Sequence, residues 1–315
     1  MLIAYVQDLK KLRKEEEPTA LPIDPVWIDL LDPTKEEEVL VEQTLQEIEV
    51  SSRLYKEGNT LFMTANVLSN SVSGVLEAQP VTFVLAGQTL ITIRYCDPKS
   101  FQVFAANAQR AVSDNISKET LMLGLLESVI NRLADVLESI ASDVNAISQE
   151  IFKHKNETPS DNAPDFQDIL RRIAQKGDLN SGARESLIGL GRLLTFLGYS
   201  VDAYQTVNPD LKGRVMTLSQ DILALTDHVS FLSNKICFLL DATLGMISIE
   251  QNTTIKIFSV AAVVFLPPTL VASVYGMNFE FMPELKWLAG YPFALGLMVL
   301  SAIIPYWFFK RRGWL

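Results

Sequence analysis

Two apolar runs without a charged residue dominate the C-terminal end of the chain. Ile257 to Tyr275 reads IFSVAAVVFLPPTLVASVY, and Leu288 to Phe309 reads LAGYPFALGLMVLSAIIPYWFF. Each is close to the ~20 residues that carry an α-helix across a hydrocarbon core of about 30 Å. The pattern predicts two membrane spans, 257–275 and 288–309. They turn back through GMNFEFMPELKW, residues 276–287, and the second is closed by the basic Lys310-Arg311-Arg312.

Upstream, the hydrophobic period is that of heptads. Leu126, Ile130, Leu133, Leu137, Ile140, Val144, Ile147 and Ile151 alternate steps of four and three, which predicts one long helix over 118–155. NETPSDNAP, with two prolines, breaks it. Ala183, Leu187, Leu190, Leu194, Leu197, Val201 and Tyr204 form a second seam over 165–206. Five glycines, Gly177, Gly182, Gly189, Gly191 and Gly198, interrupt that helix, for close packing or for bending. Asn208-Pro209 is a good cap and first turn for a third helix. Its seam runs Leu211, Val215, Leu218, Ile222, Leu225, Val229, Leu232, Ile236 and Leu239, over 209–256. Nothing up to Tyr275 demands a break except Pro267-Pro268, where a bend or slight unwinding is expected. The third helix therefore continues into the first span. Short connections make the three helices antiparallel neighbours, a 118–256 bundle.

Residues 1–117 alternate instead between short strand-like and helical stretches. Leu2–Val6, Val26–Leu30, Thr60–Asn66, Val81–Ala86 and Thr89–Tyr95 read as strands, the last two joined at Gly87-Gln88. Asp32-Pro33-Thr34 opens one helix, and Pro98-Lys99-Ser100 precedes another that ends near Asn115. The fold class is thus an α+β cytoplasmic domain with long antiparallel coiled-coil-like helices, followed by two transmembrane helices in 257–315.

Composition sharpens this picture. The net charge of −10 argues against a nucleic-acid partner. Two unpaired cysteines, Cys96 and Cys237, fit a reducing compartment. The N-terminal apolar run is too short for a signal peptide. The soluble bulk and both termini are expected in the cytoplasm, in a bacterial-type inner (plasma) membrane protein. Enzyme signatures are absent: no HExxH, Walker loop or nucleophile elbow occurs, and the two histidines, His154 and His228, sit on helices as packing or surface residues. No enzyme activity and no cofactor are expected.

The informative chemistry lies along the first span and its lead. Two helices from one chain cannot enclose a water-filled path, so a path through the membrane would require a homo-oligomer. Asp241, Asn252 and Thr269 are polar positions on the approach and in the span, where polar groups face protein or a cavity. A ring of neutral oxygens, from Asn278 and the Gly276 carbonyl, can accept hydrogen bonds from the water shell of a hydrated cation and still release it. Gly276 also permits a sharp exit from the helix. Glu280 and Glu284 can gather cations just outside. Asp221 and Asp227 are candidates for regulatory metal sites.

YGMN at the end of a first span, followed by FEFMPELKW, a second span and a basic tail, resembles the CorA family of magnesium transporters. IEQNTTIKIFSVAAVVFLPPTLVASVYGMN is similar to that family's pore helix. The resemblance covers roughly Asp241 to Leu315. It implies that Gly276, Met277 and Asn278 form the selectivity filter and that Asp241, Asn252 and Thr269 line the pore. It implies a homopentamer in the lipid bilayer that takes up Mg²⁺, and also Co²⁺ and Ni²⁺, down the membrane potential. Mg²⁺ would then be both cargo and regulator, closing the channel from inside. Three rivals stand beside this reading: a related zinc transporter, whose middle tripeptide residue tends to differ; a membrane-anchored coiled-coil scaffold or sensor; and a membrane-anchored enzyme.

Overall fold

The alternating runs of the N-terminal part assemble into one mixed sheet in the computed structural model, which describes residues 1–8, 11–16, 22, 24–42, 54–70, 76–110, 116–153, 165–202, 209–277 and 287–313. The strands are β1 (Leu2–Asp8), β2 (Lys11–Glu16), β3 (Pro25–Leu31), β4 (Leu54–Glu57), β5 (Thr60–Asn70), β6 (Leu76–Ala86) and β7 (Thr89–Arg94). Their order is β2-β1-β3-β7-β6-β5-β4, antiparallel except for the β3–β7 pair. All five strands expected from the sequence are present, several of them longer. The two edge strands, β2 and β4, are additions. KLRKEE in β2 buries only Leu12, so it shows no two-faced alternation. Its charges are what an exposed edge uses to discourage pairing with another chain. The β6–β7 hairpin closes with Ala86 opposite Thr89, and Gly87 takes φ 53°, a left-handed value that glycine adopts without a Cβ clash.

Period-two alternation gives the sheet two apolar faces. Leu2, Ala4, Ile28, Leu30, Phe62, Val84, Ile91 and Ile93 cluster on one, with Val41 of α1 (Lys35–Glu42). Thr34 and Glu37 cap that helix reciprocally: the Thr34 amide donates to Glu37 Oε2 at 2.9 Å, and the Glu37 amide donates to Thr34 Oγ1 at 3.3 Å. The rest of the expected helix beyond Glu42, to about Ile48, lies outside the described residues. On the other face Tyr5 stacks on Trp27 at 4.3 Å, and Trp27 meets Phe104 of α2 (Lys99–Arg110) edge-on.

That second face also buries a charged pair. Arg94 donates through Nε to Asp29 Oδ1 at 3.0 Å and through Nη2 to Oδ2 at 2.8 Å, and Thr92 Oγ1 donates to the same Oδ1 at 2.7 Å. Asp29 and Arg94 are only 2% and 4% exposed. The guanidinium lies 5.0 Å from the Phe101 ring and also reaches Asp97 at 2.6 Å, tying the sheet to the start of α2.

The heptad seams become α3 (Lys118–Lys153), α4 (Phe166–Asp202) and α5 (Pro209–Tyr275). Every seam residue expected on α3 is buried. On α4 the seam is buried from Ala183 to Leu197, while Val201 and Tyr204 are not described beyond the helical backbone at 201. Asn208, the expected cap of the third helix, and His154 also lie outside the described residues. Asp165 Oδ1 accepts the Gln167 amide at 2.9 Å and so caps α4.

The α4 glycines face neighbours on two sides, at distances where an added Cβ would make ordinary van der Waals contact. A Cβ on Gly182 or Gly189 would sit 3.5 Å from Leu68 or from the Asn66 amide nitrogen, against β5. A Cβ on Gly177, Gly191 or Gly198 would meet Ile236, Ile222 or Val215 at 3.8, 3.4 and 3.6 Å. Those partners descend α5 as the glycines ascend α4, so the two helices are antiparallel in one register. Asn180, between them, donates to Ser233 Oγ at 2.8 Å.

By its contacts the chain forms two compact units, Met1–Leu240 and Asp241–Leu315. The second holds the rest of α5 and α6 (Gly290–Arg311). Both helices are long and apolar enough to cross a membrane. Helical conformation persists through Pro267 and Pro268, so the expected unwinding does not occur. The prolines leave the carbonyls of Val263 and Val264 without their usual i+4 donors.

Candidate ion pathway

Within Asp241–Leu315, α5 carries most of the polar groups of interest. Asp241 and Asn252 are exposed. Eleven residues separate them, close to three helical turns at about 3.6 residues each, so they share a face. Ser248 and Ser259 are exposed on that same face. Ser248 was not among the sequence candidates; its seven-residue offset from Asp241 is the signal that finds it. Thr269 is exposed but sits about 100° round the helix from Asn252. Its Oγ1 donates to the Phe265 carbonyl at 2.8 Å, as Thr253 Oγ1 does to Ile249 at 2.9 Å. A hydroxyl so engaged has spent its proton and keeps lone pairs to accept from water.

α5 ends at the tripeptide. The Gly276 amide donates to the Ala272 carbonyl at 2.9 Å, and the Met277 amide to Val274 at 3.3 Å, a tightened last turn. Gly276 itself has no left-handed φ. A Cβ there would stand 3.1 Å from the Ala272 carbonyl oxygen, a tight contact. Met277 is 47% exposed. Asn278, Glu280 and Glu284 lie outside the described residues.

The two spans of one chain do not enclose a polar path. Beside Gly276 they leave a cavity of about 400 Å³, bounded by Tyr275, Trp287, Tyr291, Leu295 and Met298. Buried Gly290 and Ala294 also border it. That wall is aromatic and aliphatic, suited to hydrocarbon rather than to an ion. Large apolar side chains remain uncovered around α5, among them Ile255, Phe258, Phe265, Leu266 and Leu270.

In the Met1–Leu240 unit, Asp221 and Asp227 are both exposed on α5. Among the described residues, no three His, Cys, Asp or Glu side chains come together as a metal cage. Exposed Met216, Leu223, Phe231 and Phe238 recur along the same helix at seven- or eight-residue steps, an apolar stripe separate from the buried seam.

Residues 25–311 match the family of CorA-like Mg²⁺ transporter proteins. The chain belongs to the CorA family. It is 34% identical over 322 residues to the magnesium transport protein CorA of Pasteurella multocida, with 98% of each chain covered. It is 35% identical over 327 residues to the magnesium transport protein CorA of Salmonella typhimurium, with all of both chains covered. Among solved structures, the CorA magnesium transporter of Methanocaldococcus jannaschii superposes with a TM-score of 0.78 at 17% identity, covering 100% of this chain and 99% of that one. This CorA chain thus shares its fold with a solved transporter and its sequence with bacterial relatives over their whole length.

Proposed function

We propose that this CorA chain forms a homopentameric channel through which Mg²⁺ enters the cell, with Co²⁺ and Ni²⁺ as further cargo. The observation that carries the reading is the continuous α5, which bears Asp241, Ser248, Asn252, Ser259 and Thr269 and ends at Gly276-Met277. Five copies placing the face of Asp241, Ser248, Asn252 and Ser259 inward would line a path with oxygens suited to a hydrated cation, and Thr269, about 100° round the helix, would join it where α5 twists relative to its neighbours. Of the uncovered apolar side chains, Phe258 and Phe265 lie about 100–120° round the helix and would face lipid or neighbouring copies, whereas Ile255, Leu266 and Leu270 fall on the inward face between the polar groups. On this reading residues 1–117, 118–256 and 257–315 are the soluble domain, the bundle and the membrane part. Gly276, Met277 and Asn278 form the filter, and Glu280 and Glu284 concentrate ions at its mouth. A doubly charged ion moving inward gains about 4.6 kcal/mol per 100 mV, so no nucleotide is required. Intracellular Mg²⁺ would close the channel between soluble domains, with Asp221 and Asp227 as candidate contacts.

Purified protein in liposomes should conduct Mg²⁺ when an inside-negative potential is imposed, and native mass spectrometry should give five chains. A transport-competent monomer, or an assembled protein with no flux, would sink the proposal. Both termini should be inside and residues 276–287 outside, because basic residues flank the cytoplasmic ends. A cysteine at Glu284 should react with an impermeant thiol reagent from outside on intact cells. The free native Cys96 and Cys237 should react only after permeabilisation. The opposite pattern reverses the topology.

Asp241→Asn removes one negative charge per subunit without changing shape. It should lower flux by up to roughly tenfold at low Mg²⁺ while sparing assembly, because a focusing ring of charge is lost. If Asp241 only pairs with a cation in a neighbouring subunit, flux across the whole Mg²⁺ range will be unchanged.

A further inference from the structure

The last turn of α6 presents three consecutive cations, Lys310, Arg311 and Arg312, all exposed. A preference for positive charge at a cytoplasmic flank and at a helix C-terminus accounts for cations there. It does not account for how the arginines are held. The Arg311 guanidinium lies 5.2 Å from the Trp307 ring centroid, and that of Arg312 lies 5.3 Å from Phe308. Each ring is four residues back, so both side chains fold along the helix toward the apolar span. Phe309 braces Phe308 edge-on at 5.6 Å.

A ring that covers one face of a guanidinium leaves the N–H donors in its plane for other acceptors. Those donors have no carboxylate partner among the described residues. The rings below are themselves exposed, Trp307 by 61% and Phe308 by 51%, together with Ile303 and Ile304. The site therefore has two levels: two guanidinium edges about 100° apart round the helix end, and just beneath them an aromatic and aliphatic surface that needs hydrocarbon. A phosphate joined to acyl chains matches both levels, whereas a free phosphate matches only the upper one.

We propose that Arg311 and Arg312, each stacked on its ring, bind the phosphates of anionic phospholipids whose acyl chains lie along Ile303, Ile304, Trp307 and Phe308. The guanidinium forks grip the phosphate oxygens, and the stacked rings hold them at headgroup depth. This rests on α6 being a membrane span and not on ion transport, so a protein that failed to conduct Mg²⁺ would leave it standing.

The test is lipid retention by the full-length protein in native mass spectrometry, with phosphatidylglycerol and phosphatidylcholine of identical acyl chains as probes. The wild type should keep phosphatidylglycerol in preference to phosphatidylcholine. Arg311→Gln with Arg312→Gln should weaken that retention about tenfold or more, as loss of charge-assisted hydrogen bonds requires. Arg311→Lys with Arg312→Lys should fall between, since it keeps charge but loses the stacked fork. The intact mass in the same spectra shows that each variant is assembled. Equal retention of the two lipids, or undiminished phosphatidylglycerol on the Gln variant, would overturn the proposal. So would displacement of the lipid by millimolar inorganic phosphate, which would assign the site to free anions.

Discussion

Asn278→Ala should cut Mg²⁺ flux to roughly a tenth or less of wild type while the oligomer assembles normally, since each subunit loses one acceptor to a charged, hydrated ion. The substitution touches neither span nor any heptad position, so assembly supplies the control. Asn278→Asp is the more discriminating variant. It keeps the shape and an oxygen but adds a charge per subunit. The ion should be held more tightly and released more slowly, so transport should fall despite stronger attraction. The competing role for Asn278 is a helix-terminating residue, because Asn tolerates a left-handed turn there. Glycine suits such a turn better still. Tracer uptake into proteoliposomes, normalised to assembled oligomer, separates the two: near-normal flux for Asn278→Gly would falsify the filter role.

The largest effect on stability should come from Arg94→Gln. Asp29 is 2% exposed, and Arg94 is its charge partner through two hydrogen bonds of 3.0 and 2.8 Å. Removing one partner of a buried pair strands the other charge and costs about 3–5 kcal/mol. The variant also loses the contact with Phe101 and the link to Asp97. The thermal midpoint of the Met1–Leu240 unit, followed by circular dichroism in detergent, should drop by on the order of 10 °C. Adding Asp29→Asn should restore part of the loss, because no unpaired charge remains. If the single variant melts like wild type, the pair is not holding the sheet to α2.

Both spans and all three long helices were legible in the sequence, because their signals are local. A charge-free run of about 20 residues has one economical fate in a bilayer, and a four-three alternation has one helical face. The roles of Gly276, Met277 and Asn278, and of Asp241, Asn252 and Thr269, came instead from the family resemblance of the stretch that carries them. The strands β2 and β4 were not legible, since an edge strand buries little and Lys11–Glu16 shows almost no alternation. Nor was the parallel β3–β7 pairing or the Asp29–Arg94 bond, which joins residues 65 apart in the chain. Periodicity says which way a side chain faces; it does not say which distant segment meets it.

The glycines of α4 show the same division. Their positions in a heptad helix could mean bending or close approach. Only the packed bundle assigns Gly182 and Gly189 to β5, and Gly177, Gly191 and Gly198 to the seam of α5. At the tripeptide, the tight approach of the Ala272 carbonyl oxygen to the place of a Gly276 Cβ, 3.1 Å, likewise appears only in the folded helix end. The Thr269 hydroxyl donates to the Phe265 carbonyl of its own helix, one of the two outcomes that a threonine in a span allows from sequence. The sequence by itself determined the long helices, the two apolar C-terminal runs and five of the seven strands, because each depends on neighbours within a few turns. The tertiary structure alone decided the strand order, the register of α4 against α5 and the buried charge pair, because each depends on contacts that chain distance does not encode.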